Sequence, residues 1–167
     1  MTDAVLVATV PSPAGELSLL VHDDVLVAAG FGTADEQHAR LRMPPPLRRV
    51  NDLGPFTAAL TAYFDGNLTA MDDLPTRQPG GPFRQAAWKI MREIPSGTTI
   101  TYGELAARAG SPLAARAAGS ACALNLIAPI VPCHRVLRGG GALGGYAYGL
   151  SRKEWLLAHE RQFASSR

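Results

Sequence analysis

The chain has 167 residues, 47% of them apolar and 18% charged, with a formal net charge of +2, the mix of a soluble globular protein of one or two small domains. Two cysteines, Cys122 and Cys133, exclude a disulfide-rich scaffold, and no apolar run approaches the roughly 20 residues of a membrane span. The opening MTDAVLVATV lacks a positively charged leader, so reduced thiols and a cytoplasmic, intracellular setting with no membrane partner are expected. Divided at the Pro/Gly-rich PTRQPGGP, residues 1–80 hold 10 acids and 5 bases, whereas residues 81–167 hold 4 acids and 11 bases. A basic second half fits a surface that meets a polyanion, although a solvated surface explains the same balance.

In chain order, AVLVATV, ELSLLV and VLVAAGFG are three apolar runs parted by PSPAG and HDD, which predicts a small antiparallel meander. Helices follow at ADEQHARLR and at GPFTAALTAYFDG, where Phe56, Leu60 and Phe64 recur at helical spacing, with RMPPPLRRVND between them as loop. His22 and His38 sit in polar surroundings, so this half reads as scaffold.

Beyond the linker, Phe83, Ala87, Ile90 and Ile94 in FRQAAWKIMREI mark a helix stopped by PSG. TITYGELAARAG offers Thr101 and Glu104 as a capping box and Gly110 as the stop. SPLAARAAGSACAL offers Ser111 as cap and Pro112 at the first helical position, followed by small residues around one arginine. Two short helices so joined suggest a helix-turn-helix, with an ordinary helical hairpin as the alternative. The apolar LIAPIVP, the glycine-rich RVLRGGGALGGYAYG and a closing helix SRKEWLLAHE, capped by Ser151, complete the chain.

Cys133 stands in IVPCHRVL, between Pro132 and His134-Arg135. A useful thiol nucleophile needs a cationic or hydrogen-bonding neighbour to lower its pKa from about 8.5, and His134 and Arg135 are candidates. Adjacent side chains on a strand point to opposite faces, so His134 reaches the sulfur directly only if Pro132 begins a turn, and a water relay is the better expectation. Glu160, toward the end of the closing helix, is the carboxylate chosen to orient that imidazole. Cys122 and Cys133 lack the spacing of a metal site, and no metal or cofactor is expected. On local sequence alone, Cys133 remains open between nucleophile and inert core residue.

PCHRV, Asn125 eight residues before the cysteine, TYGELA, ARAAG and GGYAYGLSRKEWLLAHE match, in order and spacing, the methylated-DNA-protein-cysteine methyltransferase family, which residues 80–162 resemble throughout. The resemblance implies an α/β (α+β) protein: a small N-terminal antiparallel-sheet domain with helices (1–76), a linker (77–82), and a helix-turn-helix, winged-helix-like domain (83–167). It implies repair of O6-alkylguanine, and of O4-alkylthymine, by irreversible single-turnover transfer to Cys133, activated through a bridging water by His134, which Glu160 orients. Asn125 would brace the helix-turn-helix against the active-site segment. Tyr102, Arg116, Ala117, Gly119 and Arg135 would meet DNA, with Tyr102 on a phosphate and Arg116 filling the gap left by the flipped nucleotide. Cys122, Val136, Tyr146, Ala147 and Tyr148 would form the base pocket. The implied partner is double-stranded DNA holding alkylated guanine, bound by a monomer, with cooperativity open.

Three positions depart from the family pattern. Leu124-Asn125-Leu126 replaces Gly-Asn-Pro, Tyr148 stands where many relatives have glycine, and Cys122 occupies a helix position facing the pocket. Tyr148 is expected to narrow the pocket rim. A damage sensor would lack Cys133, and a cysteine hydrolase would turn over repeatedly. The family's regulatory members carry a metal-binding cysteine cluster ahead of this unit, so the stand-alone form is the expectation here.

Overall fold

The computed structural model describes residues 3–164. In the first unit, β1 (Val5–Val10), β2 (Leu17–His22) and β3 (Val25–Phe31) pair antiparallel, β1 and β2 through the loop 11–16 and β2 and β3 through a tight turn at Asp23-Asp24. β2 is buried on both faces, and even Ser18 is enclosed, its hydroxyl donating to the Gly32 carbonyl at 2.9 Å. That places β2 inside the sheet, whose order is β3-β2-β1-β4. β4 (Leu47–Arg49) lies in the stretch expected as loop; it pairs parallel with β1, so the sheet is mixed rather than purely antiparallel. Three residues after a triple proline carry too short a pattern to read as a strand.

α1 (Ala34–Ala39) starts at a Thr33/Glu36 capping box, and α2 (Pro55–Phe64) buries Phe56, Leu60 and Tyr63, the last in place of the expected Phe64. Both histidines serve local structure: His22 lies 2.6 Å from Asp3, and His38 2.8 Å from the Pro45 carbonyl oxygen.

This first unit runs to Gln78 and also takes in Leu126–Ile130, while the second comprises Pro79–Asn125 and the chain from Val131 onward. The returning segment departs from the contiguous C-terminal domain expected from sequence. Its backbone continues the first sheet, since Ala29 N–H donates to the Leu126 carbonyl at 2.8 Å and Ala128 N–H to the Ala29 carbonyl at 3.1 Å. Leu126 N–H is held by the Gln78 side chain at 2.9 Å.

The second unit contains α3 (Pro82–Glu93), β5 (Ile100–Thr101), α4 (Tyr102–Arg108), α5 (Ala115–Ala123), a 3-10 turn (Cys133–Arg135), β6 (Val136–Leu137) and α6 (Leu150–Ala164). α3 buries Ala87, Trp88 and Met91, a face rotated slightly from the expected stripe. α4 has the Thr101/Glu104 capping box that the sequence predicts. α5 begins at Ala115 without a side-chain cap; Ser111 instead opens a turn in which its carbonyl accepts from Ala114 N–H at 2.9 Å. Likewise Ser151 lies inside α6 rather than ahead of it. β5 and β6 form a two-residue parallel ladder, which brings the start of α4 beside the segment that follows Cys133.

Candidate active site

Pro132 does begin a turn. Cys133, His134 and Arg135 form a single turn of 3-10 helix, closed by Arg135 N–H donating to the Pro132 carbonyl at 3.0 Å. Successive side chains on such a turn diverge by about 120°, so the thiol and the imidazole face different surroundings although they are neighbours in sequence. The turn is braced by Asn125, whose buried side-chain amide donates to the Val131 carbonyl at 2.7 Å. Asn125 directly follows α5 and Leu124, so one hydrogen bond couples the end of the second helix of the pair to the cysteine turn. Trp88 fixes the same helix end by donating to the Ala121 carbonyl at 2.9 Å.

Behind the turn lies a fully buried ion cluster. His134 Nε2 is 2.8 Å from Glu160 Oε2, and both side chains are 0% exposed. Arg135 grips the same carboxylate through Nε to Oε1 at 2.8 Å and Nη2 to Oε2 at 2.9 Å, and also donates to the Ile94 carbonyl and the Ser96 hydroxyl. Burial works against the Glu160 charge, but the His134 hydrogen bond and the Arg135 fork outweigh it and hold the carboxyl well below its usual range. An ionised carboxylate only accepts, so Nε2 of His134 carries the proton and Nδ1 keeps its lone pair. Burial also pushes the His134 pKa down, keeping the ring neutral. Its Nδ1 is buried and has no hydrogen-bond partner among the described residues.

Arg135 is therefore corrected: expected at the DNA surface, it is only 4% exposed and its guanidinium is engaged inside the protein. A planar fork that meets a carboxylate with two bonds cannot also reach a phosphate outside.

On the other side of Cys133 is a cavity of about 270 Å³, lined by Tyr102, Gly119, Cys122, Ala123, Cys133, Gly145, Tyr146 and Ala147. Four separate parts of the second unit thus meet there: α4, α5, the cysteine turn and the glycine-rich loop. Tyr102 lies against that loop so closely that a Cβ on Gly144, whose φ is +71°, would stand 2.6 Å from the phenol oxygen. Burial raises the Tyr102 and Tyr146 pKa values, so both remain phenols. Tyr102 hydroxyl takes a hydrogen bond from the Gly145 backbone, whereas the buried Tyr146 hydroxyl has no partner among the described residues. Burial drives the Cys122 thiol upward and keeps it protonated, which sets it apart from a second nucleophile. Arg116 and Ala117 are exposed on α5, and Gly119 turns a bare backbone toward the cavity, where an added Cβ would meet nothing within 4 Å.

Two expected pocket residues are not in that lining. Val136 is fully buried in β6, and its carbonyl accepts from Lys153 Nζ at 2.9 Å. Tyr148 packs edge-on against Tyr146, ring centroids 5.7 Å apart, so it supports a wall instead of forming the rim. Tyr148→Gly should therefore act by loosening Tyr146, with transfer from a benzylated guanine changing more than from a methylated one. Equal rates for both adducts in wild type and variant would remove Tyr148 from the pocket altogether. Lys153, fully buried beside that wall, is the residue that sequence reasoning overlooked. It shares the spacing of Leu156, Leu157 and Glu160, a buried face that was legible in the chain.

Among the described residues no three His, Cys, Asp or Glu side chains gather as a metal site, and no helix is long and apolar enough to cross a membrane. A thiol on a turn, backed by a histidine-carboxylate pair and opening into a cavity beside a helix-turn-helix, defines a cysteine-centred group-transfer site on a nucleic-acid-binding scaffold. Residues 82–162 match the model of the 6-O-methylguanine DNA methyltransferase DNA-binding domain. The methylated-DNA-protein-cysteine methyltransferase of Shigella flexneri is 50% identical over 107 residues, 64% of this chain and 63% of its own length, so that match spans just under two thirds of the relative. The protein of the same name from Mycobacterium bovis is 42% identical over 160 residues, covering 93% of this chain and 92% of its own. The crystal structure of Mycobacterium tuberculosis OGT in complex with DNA aligns with a TM-score of 0.83 at 39% identity, covering 95% of this chain and 94% of that one. The chain belongs to the methylated-DNA-protein-cysteine methyltransferase family.

Proposed function

We propose that the protein repairs DNA by taking the alkyl group of O6-alkylguanine, and of O4-alkylthymine, onto Sγ of Cys133. The observation that carries this reading is the buried His134 Nδ1, left as a partnerless base by the Glu160 bond at Nε2, one residue from a cysteine that faces a cavity. His134 takes the thiol proton; because the two side chains diverge on the turn, a bridging water carries it. The thiolate then attacks the alkyl carbon in line. An S–C bond forms, the C–O bond breaks, and its electron pair goes to the guanine oxygen. The proton gained by His134 balances the one that guanine takes up on release. Among the described residues no group near Cys133 is suited to cleave the resulting thioether, so each molecule acts once.

The alkyl group is hidden in stacked duplex, and the nucleotide must be rotated out at a cost of a few kcal/mol. Exposed Arg116 on α5 suits the role of filling the gap, with Ala117 and Gly119 allowing close approach and Tyr102 at the pocket mouth. The Mycobacterium tuberculosis relative bound to DNA supports duplex DNA as partner. All the residues named lie on one chain, so a monomer suffices, and the cytoplasm is the compartment this role implies. The partnerless Tyr146 hydroxyl is the donor for the guanine oxygen. Tyr146→Phe should slow transfer about tenfold while leaving the melting temperature unchanged or higher, since it deletes an unpaired buried hydroxyl; an undiminished rate would remove Tyr146 from the chemistry.

The test of the whole reading is a duplex carrying a labelled methyl on the guanine oxygen. One methyl per chain, mapped to Cys133, is expected. Repeated release of label would indicate hydrolysis, and binding without transfer a damage sensor; either overturns the proposal.

A further inference from the structure

The loop between β6 and α6 carries three of the cavity-lining residues, Gly145, Tyr146 and Ala147, yet contains no strand or helix. Its backbone hydrogen bonds close two small turns, Arg138 N–H to Ala142 and Gly141 N–H to Arg138, and a third at its end, Gly149 N–H to Tyr146. None of these engages Leu143, Gly144 or Gly145. Gly140, Gly141, Gly144 and Gly149 all have positive φ, so the loop lacks the stiffness that side chains would confer.

Its middle is held from outside the loop, by the Gly145 N–H bond to the Tyr102 hydroxyl and, at its carbonyls, by Lys153 in the first turns of α6. The side chain is 0% exposed, and its ammonium donates to three carbonyls at once: Val136 at 2.9 Å, Gly145 at 3.1 Å, and Leu143. An ammonium has three donors and no acceptor, so its capacity is filled. The three acceptors come from two segments. Val136 follows the cysteine turn directly, while Leu143 and Gly145 belong to the loop that walls the cavity. One buried cation thus ties the wall to the strand that directly follows the cysteine turn. An apolar side chain in its place would leave three converging carbonyls without their donor.

Building on the acceptor role of Cys133, we propose that Lys153 is a positioning residue for alkyl transfer, setting the separation between the Gly145–Ala147 wall and the Cys133 sulfur. Attack on a saturated carbon is intolerant of misplacement, since an error of about 1 Å can cost 10²-fold in rate. The ammonium also acts electrostatically on the Cys133 thiol, so a role confined to charge is the rival account. The two differ in what they move: position alters the transfer step alone, whereas charge alters the ease of forming the thiolate.

The variants Lys153→Met and Lys153→Gln separate them. Single-turnover transfer from a duplex with O6-methylguanine, followed over DNA concentration, yields the maximal rate, the half-saturating concentration and, from the amplitude, the fraction of protein that is folded and active. Iodoacetamide alkylation over pH yields the thiol midpoint. We expect the maximal rate of the active fraction to fall ten- to a hundredfold in Lys153→Met and less in Lys153→Gln, with half-saturation and thiol midpoint unchanged. A wild-type maximal rate in Lys153→Met overturns the proposal, as does a loss matched in full by a rise in the thiol midpoint. Should Lys153→Met fail to fold, Lys153→Gln, whose shorter side chain keeps two N–H donors, decides by the same readings. Wild-type protein that transfers no methyl would instead defeat the acceptor reading itself.

Discussion

A chain with Cys133→Ser should bind a duplex holding O6-methylguanine as tightly as the wild type and gain no mass from it. Serine matches cysteine in shape, and the turn that presents it is held by backbone bonds, Cys133 N–H to Val131 at 2.9 Å and Arg135 N–H to Pro132 at 3.0 Å, together with the Asn125 bracket. None depends on the sulfur, so binding should be untouched. Transfer should fall by about 10³-fold or more, because the hydroxyl does not ionise in the range where His134 acts as base. Cys122 should not substitute: it lines the same cavity, but burial keeps its thiol protonated. Peptide mapping that found the methyl on Cys122, in either protein, would sink the assignment of Cys133 as sole acceptor.

Glu160 carries the second large effect, in both rate and stability. Glu160→Gln leaves an amide that can present either oxygen or nitrogen to His134, so the ring no longer has one enforced tautomer, and transfer should slow by about 10²-fold. Arg135 loses its countercharge as well, and removing one partner of a buried pair costs about 3–5 kcal/mol. The pH dependence has a definite direction. His134 is held below its ordinary 6.5 and Glu160 below its ordinary 4.5, so in each case the unfolded chain takes up a proton that the folded protein refuses. Stability should be full above pH 6.5, decline as His134 titrates in the unfolded chain, and decline again below about 4.5. Glu160→Gln should weaken the lower step without erasing it, because Thr33 and Thr57 lower the Glu36 and Asp52 carboxyls in the same direction. Urea midpoints measured from pH 8 to 4 check this, and a midpoint that stayed level between pH 7 and 5 would contradict a His134 held neutral by burial.

Arg135 and Lys153 show where sequence reading stopped. Both are long cations in a basic half of the chain, and both face inward, with Arg135 on the Glu160 carboxylate and Lys153 on three carbonyls. The heuristic that charged residues lie outside is sound on average and fails where a buried acceptor waits for them. For Lys153 the helical period shared with Leu156, Leu157 and Glu160 was a usable signal, whereas Arg135, on a three-residue turn, offered no period at all. The strand Leu47–Arg49 escaped for a related reason, since pairing with β1 and not its own pattern makes it a strand.

Local chemistry written along the chain was sufficient for the β1–β3 meander, the Thr33 neighbourhood helix, the Thr101/Glu104 capping box and the choice of Glu160 as partner of His134, because each depends on near neighbours or on the scarcity of alternatives. Whether Cys133 was core or nucleophile lay beyond it. What supports the nucleophile reading is the meeting of α4, α5, the cysteine turn and the glycine-rich loop around one cavity, and a carboxylate 26 residues away that takes Nε2 of His134 and leaves Nδ1 with its lone pair. A thiol's reactivity is set by the field and the hydrogen bonds around it, and those come from residues that only folding brings together.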